Sequence, residues 1–130
     1  MVKAKILVVD SSESTRVFLR FILSNAGFLV LAVKSVEEAM NEADDFPFDA
    51  VITDLLPPEM AGIQLVRELR SHKWYEDKPL IIVSLDKTES VIQQGLDAGA
   101  TEWVVKPVSP NKLIALIKEL CPDKEDEDDF

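Results

Sequence analysis

The sequence predicts an α/β fold in which five helices cover both faces of a five-stranded parallel sheet. Five short runs are continuously apolar and rich in β-branched residues, which is typical of strands buried in a parallel sheet. Apolar residues at helical spacing fill the segments between these runs. A length of 130 residues suits one domain with a single shared core. Such alternation implies right-handed crossovers between neighbouring strands.

The five predicted strands are spaced along the whole chain. They are Ile6–Val9, Phe28–Val33, Ala50–Thr53, Leu80–Val83 and Trp103–Val105. A flavodoxin-like order, 2-1-3-4-5, would place the first and third strands together at the centre of the sheet. Asp10 and Asp54 follow these two strands and would then lie side by side where the winding direction reverses.

The first two helices are predicted from apolar stripes and from the residues at their ends. Asn25-Ala26-Gly27 is a stop signal for the first helix, and Ser35 with Glu38 forms a capping box that opens the second. The apolar stripe expected to face the core in the first helix is Val17, Phe18, Phe21 and Ile22. The corresponding stripe in the second is Val36, Ala39, Met40 and Ala43.

The remaining three helices are predicted in the same way. Ser109 is a cap for the fifth helix, and Pro110 follows at its first position. The predicted apolar stripes are Ile63, Val66 and Leu69 in the third helix, Val91, Ile92 and Leu96 in the fourth, and Leu113, Ile114, Leu116, Ile117 and Leu120 in the fifth. The connection that carries His72 is expected at the surface, with the histidine exposed.

The net charge of −10 is unevenly distributed. Half of it belongs to segment 122–130, which contains six acids and one lysine. The rest of the chain is nearly balanced, so we expect it to bind neither nucleic acid nor an anionic membrane. The apolar run Ile6–Val9 is too short for a secretion signal or a membrane span, and Cys121 is the single cysteine. A reducing, cytoplasmic location is predicted.

Polar residues stand at the carboxyl ends of four predicted strands: Asp10, Asp54, Ser84 and Lys106. Parallel strands bring their carboxyl ends to one edge of a sheet, so these side chains are expected to converge there. Two close carboxylates repel each other and require a cation or a proton. Mg²⁺ and the Lys106 ammonium are the candidates, and this arrangement suits phosphoryl transfer.

Several short motifs carry a family resemblance. They are Lys5-Ile6-Leu7-Val8-Val9-Asp10, Val51-Ile52-Thr53-Asp54 with Pro58 and Gly62, Val83-Ser84, Gly99-Ala100, and Trp103-Val104-Val105-Lys106-Pro107. In order and spacing, the chain resembles the receiver domain of two-component response regulators, of the chemotaxis-regulator type. We therefore expect a receiver domain over 1–121, followed by an acidic tail or truncated linker over 122–130.

The resemblance implies a role for each residue at the sheet edge. Asp54 would accept a phosphoryl group from a partner histidine kinase or phosphotransfer protein. Asp10 and Asp54 would hold Mg²⁺, with the carbonyl of Leu56 as a backbone ligand. Lys106 would pair with one phosphoryl oxygen, and the Ser84 hydroxyl would bond another.

The resemblance also implies a switch. Movement of Ser84 towards the phosphoryl group would open space beneath the fourth helix, and the Trp103 ring would turn into it. The face formed by the fourth helix, fifth strand and fifth helix would then change, and a downstream target protein would bind it. A phosphoryl dianion makes contacts that a carboxylate cannot, and only such differential contacts shift a two-state equilibrium. The peptide bond from Lys106 to Pro107 is expected to be cis.

The chain departs from the family pattern at three positions. Ser11 replaces the second of two adjacent acids, so the attraction for Mg²⁺ should fall. Ala61 replaces an acid before Gly62, and Leu85 replaces a small residue beside Ser84. Two hypotheses follow: a phosphorylation-dependent signalling switch, or a pseudo-receiver that keeps the fold as an interaction module without the metal-dependent chemistry.

An enzyme is not expected. A magnesium-dependent phosphatase would need an acid two residues after its nucleophile, where this chain has Leu56. A nucleotide-binding protein would need a phosphate loop, which the segment Ser11–Thr15 imitates only weakly.

Overall fold

A computed structural model describes residues 3–56 and 60–121. Segment 122–130 and Pro58, both named in the sequence-based expectations, lie outside these residues. The strands are β1 Lys5–Val9, β2 Leu29–Val33, β3 Ala50–Thr53, β4 Leu80–Ser84 and β5 Glu102–Val105. The helices are α1 Glu13–Asn25, α2 Val36–Asp45, α3 Ala61–Arg70, α4 Glu89–Ala98 and α5 Pro110–Leu120. This is the predicted alternation.

The five strands form one parallel sheet in the order β2-β1-β3-β4-β5, as predicted. Val9 pairs with Thr53 across the β1–β3 ladder, so the residues that follow them leave the sheet side by side. The N–H of Asp54 also donates to the carbonyl of Val9 at 2.9 Å. The register therefore brings Asp10 and Asp54 to the same point of the carboxyl edge.

Two hydrophobic clusters lie on opposite faces of the sheet. One contains buried residues of α2, α3 and α4, and the other contains buried residues of α1 and α5. Strands β3 and β4 are fully buried, whereas β2 and β5 are partly exposed because they form the edges of the sheet. The prediction that all five runs are buried on both faces is therefore wrong for the two edge strands.

The predicted helix ends are confirmed. The Ser35 hydroxyl accepts the N–H of Glu38 at 3.1 Å, and the Glu38 carboxylate accepts the N–H of Lys34 at 3.1 Å. Ser109 caps α5, and Pro110 follows it. These contacts satisfy N–H groups that have no partner within a helix.

The predicted core face of α1 is largely wrong. Val17, Phe18 and Phe21 are 51%, 41% and 66% exposed, and the buried residues are Leu19, Ile22 and Leu23. Six of the seven residues from 17 to 23 are apolar, so two overlapping stripes have helical spacing. Periodicity alone does not select between such stripes, and contact with the sheet decides which is buried.

Two smaller expectations also fail. Leu96 of α4 is exposed, because this helix turns Gly95 and Ala98 towards the protein interior. His72 is only partly exposed, since its Nε2 lies 3.5 Å from the Asp44 carboxylate and its Nδ1 accepts the N–H of Trp74. In the part of the chain that is described, no helix is both long and apolar enough to cross a membrane.

Candidate functional site

Two acids and one lysine meet at the carboxyl edge of the sheet. The Nζ of Lys106 lies 3.3 Å from the Oδ2 of Asp10 and 3.7 Å from the Oδ1 of Asp54. The side chain of Asp10 is 3% exposed, whereas that of Asp54 is 20% exposed. Asp54 is therefore the carboxylate of this pair that an incoming group can reach.

The Asp10 carboxylate is fixed from both sides. Its Oδ1 accepts the N–H of Ser12 at 2.8 Å, and its Oδ2 faces Lys106. Arg16 of α1 donates to the main-chain carbonyl of Asp10 at 2.7 Å. Asp10 therefore supports the turn into α1 and at the same time presents negative charge to the site.

Lys106 is positioned by the sheet. Its main-chain N–H donates to the carbonyl of Ser84 at 2.8 Å, which continues the β4–β5 ladder beyond the strands. The peptide bond from Lys106 to Pro107 is cis, as predicted.

Gly62 allows α3 to begin directly beside Asp54. A Cβ atom at this position would overlap with the carbonyl oxygen of Asp54 and would lie 3.0 Å from that of Leu55. The N–H of Gly62 donates to the Leu55 carbonyl at 2.5 Å. Thr53 binds the same Asp54 carbonyl through its hydroxyl at 2.8 Å. The main chain of Asp54 is thus enclosed, while its side chain stays partly exposed.

Two residues near Asp54 adopt left-handed backbone conformations. Leu56 has a φ of 61° and Met60 a φ of 58°. Such conformations cost roughly 1 kcal/mol or more in a residue other than glycine, and they concentrate at functional sites. The carbonyl of Leu56, which is the predicted metal ligand, accepts the N–H of Ala61 at 3.1 Å and has a second lone pair.

The donor set at this edge suits a hard cation but carries little charge. Two carboxylates and a backbone carbonyl are oxygen ligands of the kind that Mg²⁺ prefers, with water completing its shell. Ser11 adds no charge, and no group of three or more His, Cys, Asp or Glu among the described residues could hold a metal ion. Asp10 and Asp54 therefore supply two carboxylates at this edge, one fewer than the family pattern provides.

Ser84 ends β4 and is 4% exposed. Its hydroxyl oxygen accepts the N–H of Asp86 at 3.0 Å, which leaves the hydroxyl proton for another acceptor. The N–H and hydroxyl of Thr88 bind the Asp86 carboxylate and hold its pKa below the ordinary value. Leu85 is 75% exposed, so its side chain packs on little of the protein.

Trp103 is a residue of β5, and its ring faces α4. Its indole N–H donates to the main-chain carbonyl of Asp86 at 3.0 Å, and its ring packs against Gly95. Asp86 therefore connects Ser84 with Trp103, Gly95 leaves room for the Trp103 ring, and neither was identified from the sequence. Gly95 could have been identified from the sequence, because glycine inside a helix is unfavourable and often indicates a close packing contact.

Comparisons with known proteins point to one family over most of the chain. The family model described as the response regulator receiver domain matches residues 6–118. The transcriptional regulatory protein SrrA of Staphylococcus aureus is 31% identical over 116 residues, which cover 89% of this chain and 47% of SrrA. The chain thus spans about half the length of the curated relatives it matches.

Two solved structures show the same likeness. The chemotaxis protein CheY4 of Vibrio cholerae superposes with a TM-score of 0.86 at 31% identity, covering 92% of this chain and 99% of that chain. A CheY-like receiver domain protein from Methanospirillum hungatei JF-1 superposes with a TM-score of 0.85 at 26% identity, covering 97% of this chain and 99% of that chain.

Proposed function

The chain belongs to the response regulator receiver domain family, and on that premise we propose that it is a signalling switch that accepts a phosphoryl group on Asp54. One observation carries the proposal: a single ammonium group, from Lys106, lies 3.3 Å and 3.7 Å from two carboxylates at the sheet edge. The partial exposure of Asp54 gives a donor access to this carboxylate rather than to Asp10.

The proposed reaction transfers a phosphoryl group from a phosphohistidine. A carboxylate oxygen of Asp54 attacks the phosphorus, the N–P bond of the donor breaks, and its electron pair returns to the imidazole nitrogen. The product is an acyl phosphate. Lys106 neutralises one phosphoryl oxygen, and the Ser84 hydroxyl proton binds another. Bound Mg²⁺, held by Asp10, Asp54 and the Leu56 carbonyl, would supply further positive charge at these oxygens.

The family interacts in general with histidine kinases and downstream effectors. For this chain we propose a histidine kinase or phosphotransfer protein as the donor, and a target protein that binds the face formed by α4, β5 and α5. We also propose that the receiver domain covers 1–121, that 122–130 is a tail or a truncated linker, and that the protein works in the cytoplasm. Its action is that of a switch, without turnover of an external substrate.

The test is phosphorylation by a small donor. With acetyl phosphate and Mg²⁺, intact-mass spectrometry should show one added phosphoryl group, and Asp54→Asn should abolish it. Ser14→Ala, at an exposed hydroxyl outside the pocket, is the control and should react like the parent. Absence of any modification, together with no ¹⁹F NMR signal from bound beryllofluoride, would contradict the proposal.

A second candidate is favoured by the small number of acids at the site. If two carboxylates attract Mg²⁺ too weakly, the chain acts as a pseudo-receiver whose partner binds irrespective of phosphorylation. Binding of the partner would then be unchanged by Mg²⁺ removal and by Asp54→Asn. A titration of the partner against both forms separates the two candidates.

A further inference from the structure

The edge strand β2 has no neighbouring strand on its outer side in the part of the chain that is described. Its five residues, LVLAV, include no charge and no proline, and its register with β1 has no bulge. Such features normally protect an edge strand, because its unpaired N–H and C=O groups can pair with another strand. The opposite edge strand, β5, carries the exposed Glu102. β2 therefore lacks a protection that β5 has.

The main-chain groups of β2 alternate in direction. The N–H of Leu29 and the carbonyl of Val33 both form hydrogen bonds on the side of β1. The residues between them at alternate positions, Val30 and Ala32, therefore turn their N–H and C=O groups away from β1. Four strong hydrogen-bonding groups thus face outward, two on each side of Leu31.

Apolar side chains accompany these groups along the same side of the sheet. Leu29 and Leu31 are 47% and 38% exposed, since α2 packs mainly against β1 and α3. Together with Phe46 and Phe48 they contribute to the lining of an open groove of about 300 Å³. The outer side of β2 therefore offers both main-chain hydrogen bonds and apolar surface to a docking strand.

We propose that β2 docks against β2 of a second copy of this chain, with the two strands antiparallel. A two-fold axis at Leu31 pairs Val30 with Ala32 of the second copy and Ala32 with its Val30, which gives four hydrogen bonds. Leu31 then faces its own counterpart, and Leu29 faces Val33 of the second copy. No charged side chain lies opposite another in this register.

The symmetry of β2 favours a second copy over an unrelated strand. The outward groups are placed evenly about Leu31, so the strand is complementary to itself after a two-fold rotation, as a closed dimer requires. Pairing joins two five-stranded sheets into one of ten strands, which has the protected β5 at both ends. Because α1 packs against both β1 and β2, the two α1 helices become neighbours on one face of that sheet. This inference goes beyond the proposed function and does not involve Asp54.

Sedimentation velocity over a range of concentrations tests the pairing. The full chain should change from monomer to dimer as its concentration rises into the millimolar range. Leu31→Lys should keep it monomeric, because two ammonium groups would meet at the axis. Leu96→Lys is the matched control, since Leu96 is 40% exposed on α4, and it should leave the dimer unchanged. A parent chain that stays monomeric throughout, or a dimer that only the Leu96 variant loses, would overturn the proposal.

A disulfide test checks the register and does not require the lysine variant to fold. In a Cys121→Ser background, Leu31→Cys should give a covalent dimer with oxidised glutathione, because the two α-carbons at the axis lie about 4.5 Å apart. Leu29→Cys is the control: Leu29 is more exposed, but its two copies lie about 14 Å apart in this register. Equal cross-linking of both variants would contradict the register. Neither test involves phosphorylation, so failure of this pairing is distinguishable from failure of the proposed function.

Discussion

The two edges of the sheet carry polar clusters of opposite character. At the carboxyl edge, the site cluster of Asp10, Asp54 and Lys106 brings together two acids and one lysine at separations of 3.3 Å and 3.7 Å. At the amino edge, an anchor cluster of Arg70 and Tyr75 makes hydrogen bonds mainly to main-chain groups. The site cluster combines opposite charges and is partly open, whereas the polar groups of the anchor cluster are satisfied by short hydrogen bonds to neutral groups.

Arg70 shows how densely the anchor cluster is bonded. Its guanidinium donates to the carbonyls of Gly99, Tyr75 and Lys78 at 2.6 to 2.8 Å, and to the Thr101 hydroxyl at 3.1 Å. These groups belong to the connections that lead into β4 and β5. One side chain therefore joins the end of α3 to the end of α4.

Tyr75 also joins separate segments by hydrogen bonds to main-chain groups, near the start of β3. The side chain is fully buried, and its hydroxyl lies 3.0 Å from the carbonyl of Ala43 and 2.6 Å from that of Phe46. It also accepts the N–H of Phe48 at 3.2 Å. The comparison shows that stabilising contacts and the candidate site lie at opposite edges of the sheet. Because hydrogen bonds at the amino edge hold the connections in place, the carboxyl edge can keep two carboxylates close together although they repel each other.

The sharpest test of this separation is to remove Arg70. Arg70→Met should lower the free energy of unfolding by about 3 kcal/mol, because three partly buried carbonyls lose their donor. Urea unfolding measures this change. Arg67→Met, at an exposed position of the same helix, should have almost no effect. The folded Arg70 variant should still be modified at Asp54 by acetyl phosphate, and loss of that reaction would show that the two clusters are coupled.

A smaller effect on the free energy of unfolding is expected from replacing Tyr75 and from raising the pH. Burial raises the pKa of Tyr75. The folded state therefore keeps its proton above pH 10, where the unfolded chain releases it, so this stabilisation is complete below about pH 10 and declines as pH rises further. Tyr75→Phe should lower stability at neutral pH by about 1.5 kcal/mol and should weaken the alkaline decline.

Tyr75 is the only tyrosine in the sequence, so the ultraviolet absorbance of phenolate reports its ionisation directly. In the native protein this absorbance should appear only as unfolding begins. A phenolate signal with an ordinary pKa in the folded protein would contradict the burial of Tyr75.

The smallest effect concerns the charge of the site cluster. Ser11→Asp should strengthen Mg²⁺ binding about tenfold, equivalent to about 1.4 kcal/mol, because it adds a third carboxylate beside Asp10. Isothermal titration calorimetry measures the change. Ser14→Asp, which adds the same charge at an exposed position in the first turn of α1, is the control and should have less effect. Equal gains from both variants would mean that net charge, and not ligation, attracts the ion.

The site cluster was accessible from the sequence, and the anchor cluster was not. Asp10, Asp54 and Lys106 each follow an apolar run, and strand order then determines that they meet. Most partners of Arg70 and Tyr75 are main-chain carbonyls, as in the contact of Arg70 with Gly99, 29 positions away. Every residue has a main-chain carbonyl oxygen, so the amino-acid type at the acceptor position does not indicate that such a contact exists.

The face of α1 and the surroundings of Trp103 were missed for related reasons. A helix that is apolar on more than one side offers periodicity no basis for choosing which side is buried, as Phe18 and Phe21 show. The link from Ser84 to Trp103 passes through the main chain at Asp86, and the Trp103 ring fits against α4 because Gly95 has no side chain. Neither the main chain of Asp86 nor the missing side chain of Gly95 is a chemical group that a sequence motif identifies.

Gly62 has a consequence for how variants of this protein should be interpreted. No atom can be added to its α-carbon without displacing the backbone of Asp54. In a saturation-mutagenesis screen scored by signalling output, substitutions of Gly62 would therefore be as harmful as substitutions of Asp10 or Asp54. The residue would look like a participant in the chemistry, although what a substitution removes is the space beside the Asp54 carbonyl.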